Sequence, residues 1–109
     1  MNAKKERIRA LNDELRTTLR GGKVHATTGI AALGVERQAA IINAVQAFDA
    51  FTADNDPYKE HDFGLIEIVD ERVMFKVDYY DCSMQLHSPD PSDPKVTVRV
   101  MTIMLADEY

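Results

Sequence analysis

The apolar residues of this chain recur at helical spacing in two segments of its N-terminal half. The first segment predicts an amphipathic helix over residues 3–20, which Asn2 caps and Gly21-Gly22 ends, because glycine accepts the left-handed conformation at a helix end. The second segment predicts a helix from Val35 to Phe51. The apolar faces of the two helices are formed by Ile8, Leu11, Leu15 and Leu19, and by Ile41, Ile42, Val45, Phe48 and Phe51.

Strand patterns follow between and after these helices. Residues 23–28 carry β-branched side chains and predict a short strand. Residues 63–69 and 73–80 predict two further strands. The intervening Asp70-Glu71-Arg72 has the length of a hairpin connection, so these two strands should pair antiparallel.

The C-terminal segment is less uniform. Residues 82–94 are rich in Ser, Pro and Asp and predict an irregular surface loop. Residues 96–105 contain enough β-branched side chains for a strand, but their apolar positions also fit helical spacing; we favour a helix because Asp93-Pro94 is a good helix start. The sequence therefore predicts a single α+β domain over residues 1–109, in which a small antiparallel sheet packs against two or three helices.

Composition and charge exclude several classes of protein. The chain has 109 residues, 45% of them apolar and 28% charged, which suits one globular domain. No apolar run approaches the ~20 residues of a membrane span, and the N-terminus lacks the apolar core of a signal peptide. With Cys82 as its one cysteine the chain cannot form an internal disulfide, so we expect a cytoplasmic protein with no membrane partner. The net charge of −5 disfavours direct binding to nucleic acid and suits a basic protein partner.

The residues from Asp54 to Gly64, here called the acidic loop, carry the most informative pattern. The loop holds four acids, an Asn and a His, and turn formation alone does not require a His between two acids. A second acidic motif ends the second strand of the hairpin. Antiparallel pairing would bring the start of one strand beside the end of the other, so the two motifs should approach each other. The candidate binding residues are Asp54, Asp56, Glu60, His61, Asp62, Asp78, Tyr79, Tyr80 and Asp81.

Four interpretations of this cluster are open. A carboxylate beside His61 could tune it as a general base, or His61 and several carboxylates could bind a divalent cation. Asp and Tyr side chains could instead receive a basic or amide-bearing partner. In the structural interpretation, Asp54 and Asn55 cap turns while His61 pairs with a carboxylate to fix the loop, and we favour this over catalysis. No catalytic signature, complete metal-ligand set or phosphate-binding glycine loop accompanies the cluster, so we predict no catalytic residue, metal or cofactor.

Five motifs are distinctive in combination and cover much of the chain: Phe48-Asp49-x-Phe51-Thr52, Asp54-Asn55-Asp56-Pro57, Glu60-His61-Asp62-Phe63-Gly64, Asp78-Tyr79-Tyr80-Asp81 and Thr102-Ile103-Met104-Leu105-Ala106-Asp107-Glu108-Tyr109. Together they resemble a family of uncharacterised short bacterial proteins, a domain of unknown function. The resemblance implies no activity. It does imply a genetic context, since members look like accessory genes, some of them borne on plasmids and phages, and this context would suit an anti-defence role.

We therefore expect a non-catalytic binding protein that presents the acidic loop to a protein partner. The genetic context suggests a mobile-element-encoded inhibitor of a host defence complex, similar to an anti-CRISPR protein. The alternative is a small hydrolase or metal-dependent enzyme centred on His61 and its neighbouring carboxylates. A third hypothesis is a homodimer formed through the narrow apolar stripe of the first helix.

Overall fold

Within residues 2–109, the part of the chain that the structure describes, a four-stranded sheet carries three α-helices on one face. The structure is a computed structural model. The elements in chain order are α1 (Ala3–Thr18), β1 (Lys23–Ala26), α2 (Thr28–Ala31), α3 (Val35–Ala47), β2 (Phe63–Ile68), β3 (Glu71–Tyr80), β4 (Val98–Leu105) and a C-terminal 3₁₀ turn (Ala106–Glu108). The predicted α+β class is confirmed.

The strands pair in the order β1-β4-β3-β2. The predicted hairpin is present, because β2 and β3 pair antiparallel with Phe63 opposite Lys76 and Ile68 opposite Glu71. β3 and β4 also pair antiparallel, but β1 runs parallel to β4. The sheet is therefore mixed rather than wholly antiparallel. The direction of β1 is set by a partner strand near the other end of the chain, so no local signal predicts it.

The largest departure from the sequence-based prediction is the C-terminal segment. Val98–Leu105 is a strand and not the helix that Asp93-Pro94 favoured. Asp93 caps only a turn, in which its Oδ1 accepts a hydrogen bond of 2.9 Å from the Lys95 amide. β4 lies inside the sheet with a partner on each side, and its β-branched side chains suit that pleated environment. Tertiary pairing therefore overrides the local helix signal.

Both long helices end earlier than predicted. Asn2 caps α1 as predicted, because its Oδ1 accepts a hydrogen bond of 2.8 Å from a first-turn amide. At the other end of α1 the cap residue is Leu19, with a left-handed φ of 61°, and Gly21 also has a positive φ, of 91°. α3 ends at Ala47, and Phe48 is extended. Phe48 and Phe51 therefore reach the core from a loop, where their rings pack edge to face at 4.9 Å.

The core lies between the helices and one face of the sheet. Its central side chains are almost fully buried: Leu15, Ile30, Ile41, Val45, Val73, Phe75, Val77, Met101 and Ile103. Burial of one such aliphatic or aromatic side chain contributes about 1.5–3 kcal/mol, so this layer holds the helices on the sheet. Gly64 is required where β2 passes Phe75, because a Cβ at this position would overlap the Phe75 ring.

Candidate functional site

The acidic loop is fixed from within by Asp56. This side chain is only 4% exposed, and its Oδ1 accepts hydrogen bonds from the amides of Glu60 and His61 at 3.1 and 3.2 Å. Asn55 caps the preceding turn, because its Oδ1 accepts a main-chain amide at 2.8 Å. Lys59 and His61 both adopt the left-handed conformation, with φ of 59° and 56°, which non-glycine residues adopt infrequently. Asp56 therefore stabilises an unusual backbone shape.

His61 joins the acidic loop to α1. Its Nδ1 lies 2.8 Å from Asp13 Oδ1, and its Nε2 lies 3.7 Å from Asp56 Oδ2. The imidazole ring stacks on Phe51, with centroids 3.8 Å apart and planes 3° from parallel. Both ring nitrogens thus face carboxylates of the protein itself. The carboxylate that binds His61 most closely comes from α1, and not from the end of β3 as strand pairing had led us to expect.

Asp13 also binds Arg16, one turn later on α1. Arg16 Nη1 donates a hydrogen bond of 2.9 Å to Asp13 Oδ1, and the guanidinium lies over the Phe51 ring at 5.0 Å. Arg16 is only 5% exposed, and among residues 2–109 its Nε finds no hydrogen-bond acceptor. Together with His61, these side chains clamp the acidic loop onto α1.

A second polar network surrounds Asn12, which is fully buried. Its Oδ1 accepts a hydrogen bond of 2.6 Å from Arg99 Nε, and its Nδ2 donates to the Tyr79 hydroxyl at 2.7 Å and to the Glu60 carbonyl at 3.0 Å. The Tyr79 hydroxyl donates to Glu60 Oε1 at 2.8 Å, and Arg99 Nη2 donates to the Pro91 carbonyl. Burial raises the pKa of the Tyr79 hydroxyl and lowers the pKa of the Arg99 guanidinium. This network ties the loop to α1, β3 and β4.

Asp62 lies at the open end of the hairpin opposite Val77, and Asp78 follows Val77 in β3. The Asp62 carbonyl accepts a hydrogen bond of 2.9 Å from the Val77 amide, which continues the pairing of β2 with β3. Lys76 Nζ donates a hydrogen bond of 2.6 Å to Asp78 Oδ2, so this carboxylate already has a cationic partner. The pairing therefore sets Asp62 one register position from Asp78, while the His61 side chain binds Asp13 of α1.

Three of the predicted binding residues have different surroundings: Asp81, Asp54 and Tyr80. Asp81 Oδ1 accepts a hydrogen bond of 2.7 Å from the Ser83 hydroxyl, and this bond is the main cause of the lowered pKa of Asp81. Asp81 thus caps the turn after β3. Asp54 is exposed on the loop surface. Tyr80 points to the face of the sheet opposite Tyr79, because successive strand residues alternate.

A shallow depression, here called the acidic cleft, opens between the start of β2 and the loop after β3. Its volume is 370 Å³, and its walls include Asp62, Asp78, Tyr80, Leu86 and His87. The pKa of the Asp62 carboxyl is raised, first by burial and then by three neighbouring carboxylates, of which Glu60 acts most strongly. None of the salt bridges within residues 2–109 includes Asp62. Within the described residues, Asp62 is therefore a half-buried acid that has no salt-bridge partner.

Four residues that organise this region were not predicted: Asn12, Asp13, Arg16 and Arg99. Asn12 lies between Ile8 and Leu15 at helical spacing, so a polar residue on the apolar stripe was an available signal. Arg99 alternates with Met101 on the core side of β4. No signal for this position exists while the segment is assigned to a helix.

Residues 2–109 hold neither a candidate metal cluster nor a candidate membrane span. This region contains no group of three or more His, Cys, Asp or Glu side chains arranged to hold a metal ion. No helix in the same region has both the length and the apolar character needed to cross a membrane.

The fold and the site define a small α+β protein in which a clamped acidic loop borders an open acidic cleft. The chain belongs to the family described as "Protein of unknown function (DUF3768)", whose family model matches residues 26–108. The predicted membership of a family of unknown function is thus confirmed. No curated protein and no solved structure matches the chain.

Proposed function

We propose that this protein is a non-catalytic binding protein that receives a basic side chain of a protein partner in the acidic cleft. The observation that carries the proposal is the environment of the Asp62 carboxylate. This carboxylate is partly buried beside other acids, and no salt bridge within residues 2–109 includes it. A cation supplied by a partner would relieve the repulsion between these acids and form a charge-assisted hydrogen bond.

The remaining walls of the cleft suit the stem of such a side chain. Leu86 is 69% exposed and lies on the same depression as Tyr80. Lysine and arginine carry an apolar stem that packs on such surfaces while the charged end reaches a carboxylate. Asp62 would bind the charged end, and Leu86 with Tyr80 would contact the stem. The acidic loop thus contributes to binding mainly through Asp62, since Asp56 and His61 are engaged inside the protein.

The geometry around His61 favours binding over catalysis. A general base needs a ring nitrogen that can reach the proton of a substrate. Here Nδ1 contacts Asp13, Nε2 faces Asp56, and the ring is stacked on Phe51. We also propose that the partner is a cytoplasmic host defence complex, because the motifs resemble those of proteins borne on plasmids and phages.

An NMR titration with a short peptide rich in arginine and lysine tests the cleft. We expect amide shifts centred on Asp62, Asp78 and Leu86, and we expect them to weaken when salt is added, because the attraction is electrostatic. Asp62→Asn should abolish the shifts. Asp70→Asn is the matched control, since Asp70 is an exposed acid in the β2–β3 turn. Absence of shifts in the cleft, or equal shifts in the Asp62 variant, would refute the proposal.

A further inference from the structure

β2 forms one edge of the sheet, and half of its main-chain groups point away from the protein. The hydrogen bond from the Val77 amide to the Asp62 carbonyl fixes which residues of β2 bond to β3 and which direct their main-chain groups outward. Because inward and outward groups alternate along an antiparallel strand, Phe63, Leu65 and Glu67 direct their N–H and C=O groups outward. Among the main-chain hydrogen bonds that residues 2–109 form outside the helices and strands, none uses these outward groups.

The two edges of the sheet differ in their protection against pairing. Natural edge strands are kept from pairing by short length, charged side chains, proline or bulges. β1 has four residues, one of which is Lys23. β2 has six residues, with the sequence Phe-Gly-Leu-Ile-Glu-Ile, and Glu67 is its one charge. Leu65, in the middle of this edge, is 42% exposed. β2 is therefore the edge suited to accept another strand.

We propose that β2 pairs antiparallel with β2 of a second copy of this chain, around a two-fold axis at Leu65. Leu65 then faces the partner's Leu65, and Phe63 faces the partner's Glu67. The two sheets become one continuous sheet of eight strands. The pairing is isologous, as expected for a homodimer, because each copy offers the same surface.

Register and charge both select this arrangement. It is the one two-fold register in which all three outward-facing residues of each β2 pair with one another. A two-fold axis at Glu67 would set two like charges opposite each other, which is unfavourable. With the axis at Leu65, one row of side chains runs across both sheets. Its order is Arg72, Glu67, the partner's Phe63 and the partner's Lys76. Charges of opposite sign therefore alternate along the row.

The first test measures the mass of the protein by size exclusion with light scattering across a range of concentrations. We expect twice the chain mass of 12.3 kDa for the wild type at high concentration. Leu65→Lys should give the single-chain mass, because two lysines would face each other. Leu65→Pro should do the same without loss of a β2–β3 hydrogen bond, because the Leu65 N–H points outward. Val35→Lys is the control, since Val35 is 82% exposed outside the sheet.

A wild type that stays monomeric at every concentration would overturn the inference, and so would dimeric Leu65 variants. Disulfide trapping then tests the register in a Cys82→Ser background. Leu65→Cys should form a disulfide-linked dimer, since the facing Cα atoms would be about 5.5 Å apart, within disulfide reach. Glu67→Cys should not, because its two copies would be offset by roughly 13 Å along the strands. Trapping at Glu67 without trapping at Leu65 would overturn the register.

Discussion

Replacement of Asn12 by alanine should destabilise the protein strongly, although Asn12 lies on a helix where alanine is the preferred residue. The Asn12 side chain forms three hydrogen bonds, with Arg99, Tyr79 and Glu60. It is fully buried, so water cannot easily replace it. The substitution therefore leaves a buried guanidinium N–H and a main-chain carbonyl without their partner.

The expected magnitude follows from these three bonds. A hydrogen bond contributes about 1 kcal/mol net, and one to a charged group about 1.5–3 kcal/mol, so the three bonds together contribute about 4 kcal/mol. Alanine returns about 0.5 kcal/mol through its higher helix propensity. The Tyr79 hydroxyl and Arg99 also keep bonds to Glu60 and Pro91, which lowers the loss further. We therefore expect a decrease of about 2–3 kcal/mol in the free energy of unfolding, equivalent to roughly 10–20 °C in the melting temperature.

Urea denaturation followed by circular dichroism measures this change. Asn43→Ala is the matched control, because it makes the same substitution at an exposed position of α3. The control should stay within about 0.5 kcal/mol of the wild type, as surface substitutions usually do. If Asn12→Ala also stays within that range, the polar network does not hold the loop and our account of it is wrong.

Three further predictions concern packing and pH. Gly64→Ala should lower the free energy of unfolding by about 1–3 kcal/mol in denaturant titration, because the added methyl group overlaps the Phe75 ring. Asp62→Asn should raise the melting temperature near neutral pH, because folding raises the pKa of Asp62 and its ionisation therefore opposes folding; the difference from wild type should shrink as the pH falls through that raised pKa and vanish below the ordinary pKa of an Asp carboxyl. Glu108→Gln should lower the melting temperature near neutral pH, because hydrogen bonds, chiefly from Thr27, lower the pKa of Glu108; this difference should vanish as the pH falls through the lowered pKa. Melts of each variant beside the wild type at neutral and acid pH check both signs.

Local patterns predicted the elements whose formation depends on neighbours in sequence. Helical spacing indicated α1 and α3, and a three-residue connection indicated the β2–β3 hairpin. β4 was assigned wrongly because a strand inside a sheet depends on partners from distant segments, while Asp93-Pro94 is a strong local signal. The parallel direction of β1 is missing from the prediction for the same reason.

The candidate site also divides into contacts between sequence neighbours, which were predicted, and contacts between distant segments, which were not. The neighbourhood of Asp62 and Asp78 follows from hairpin register and was predicted. His61 and Glu60 take partners from α1, which are Asp13 and Asn12, and Asn12 itself lies 87 positions from its partner Arg99 in β4. Such contacts form only when the helices dock on the sheet, and local sequence patterns do not specify which residues meet in that docking. The one local signal is Asn12, a polar residue within the apolar stripe of α1.

The acids of the distinctive motifs differ in what they do for the fold, and Asp62 is the exception among them. Asp56 holds two amides of the acidic loop, and Glu108 binds Thr27 and the start of α2. These residues stabilise the protein, so their substitution should reduce stability and binding together. Asp62 is crowded by other carboxylates, and its ionisation opposes folding. Asp62→Asn should therefore gain stability while it loses the basic peptide, whereas Asp56→Asn should lose both. Melts and peptide titrations of the two variants separate these outcomes, and a loss of stability in Asp62→Asn would assign this carboxylate to the fold instead of the partner.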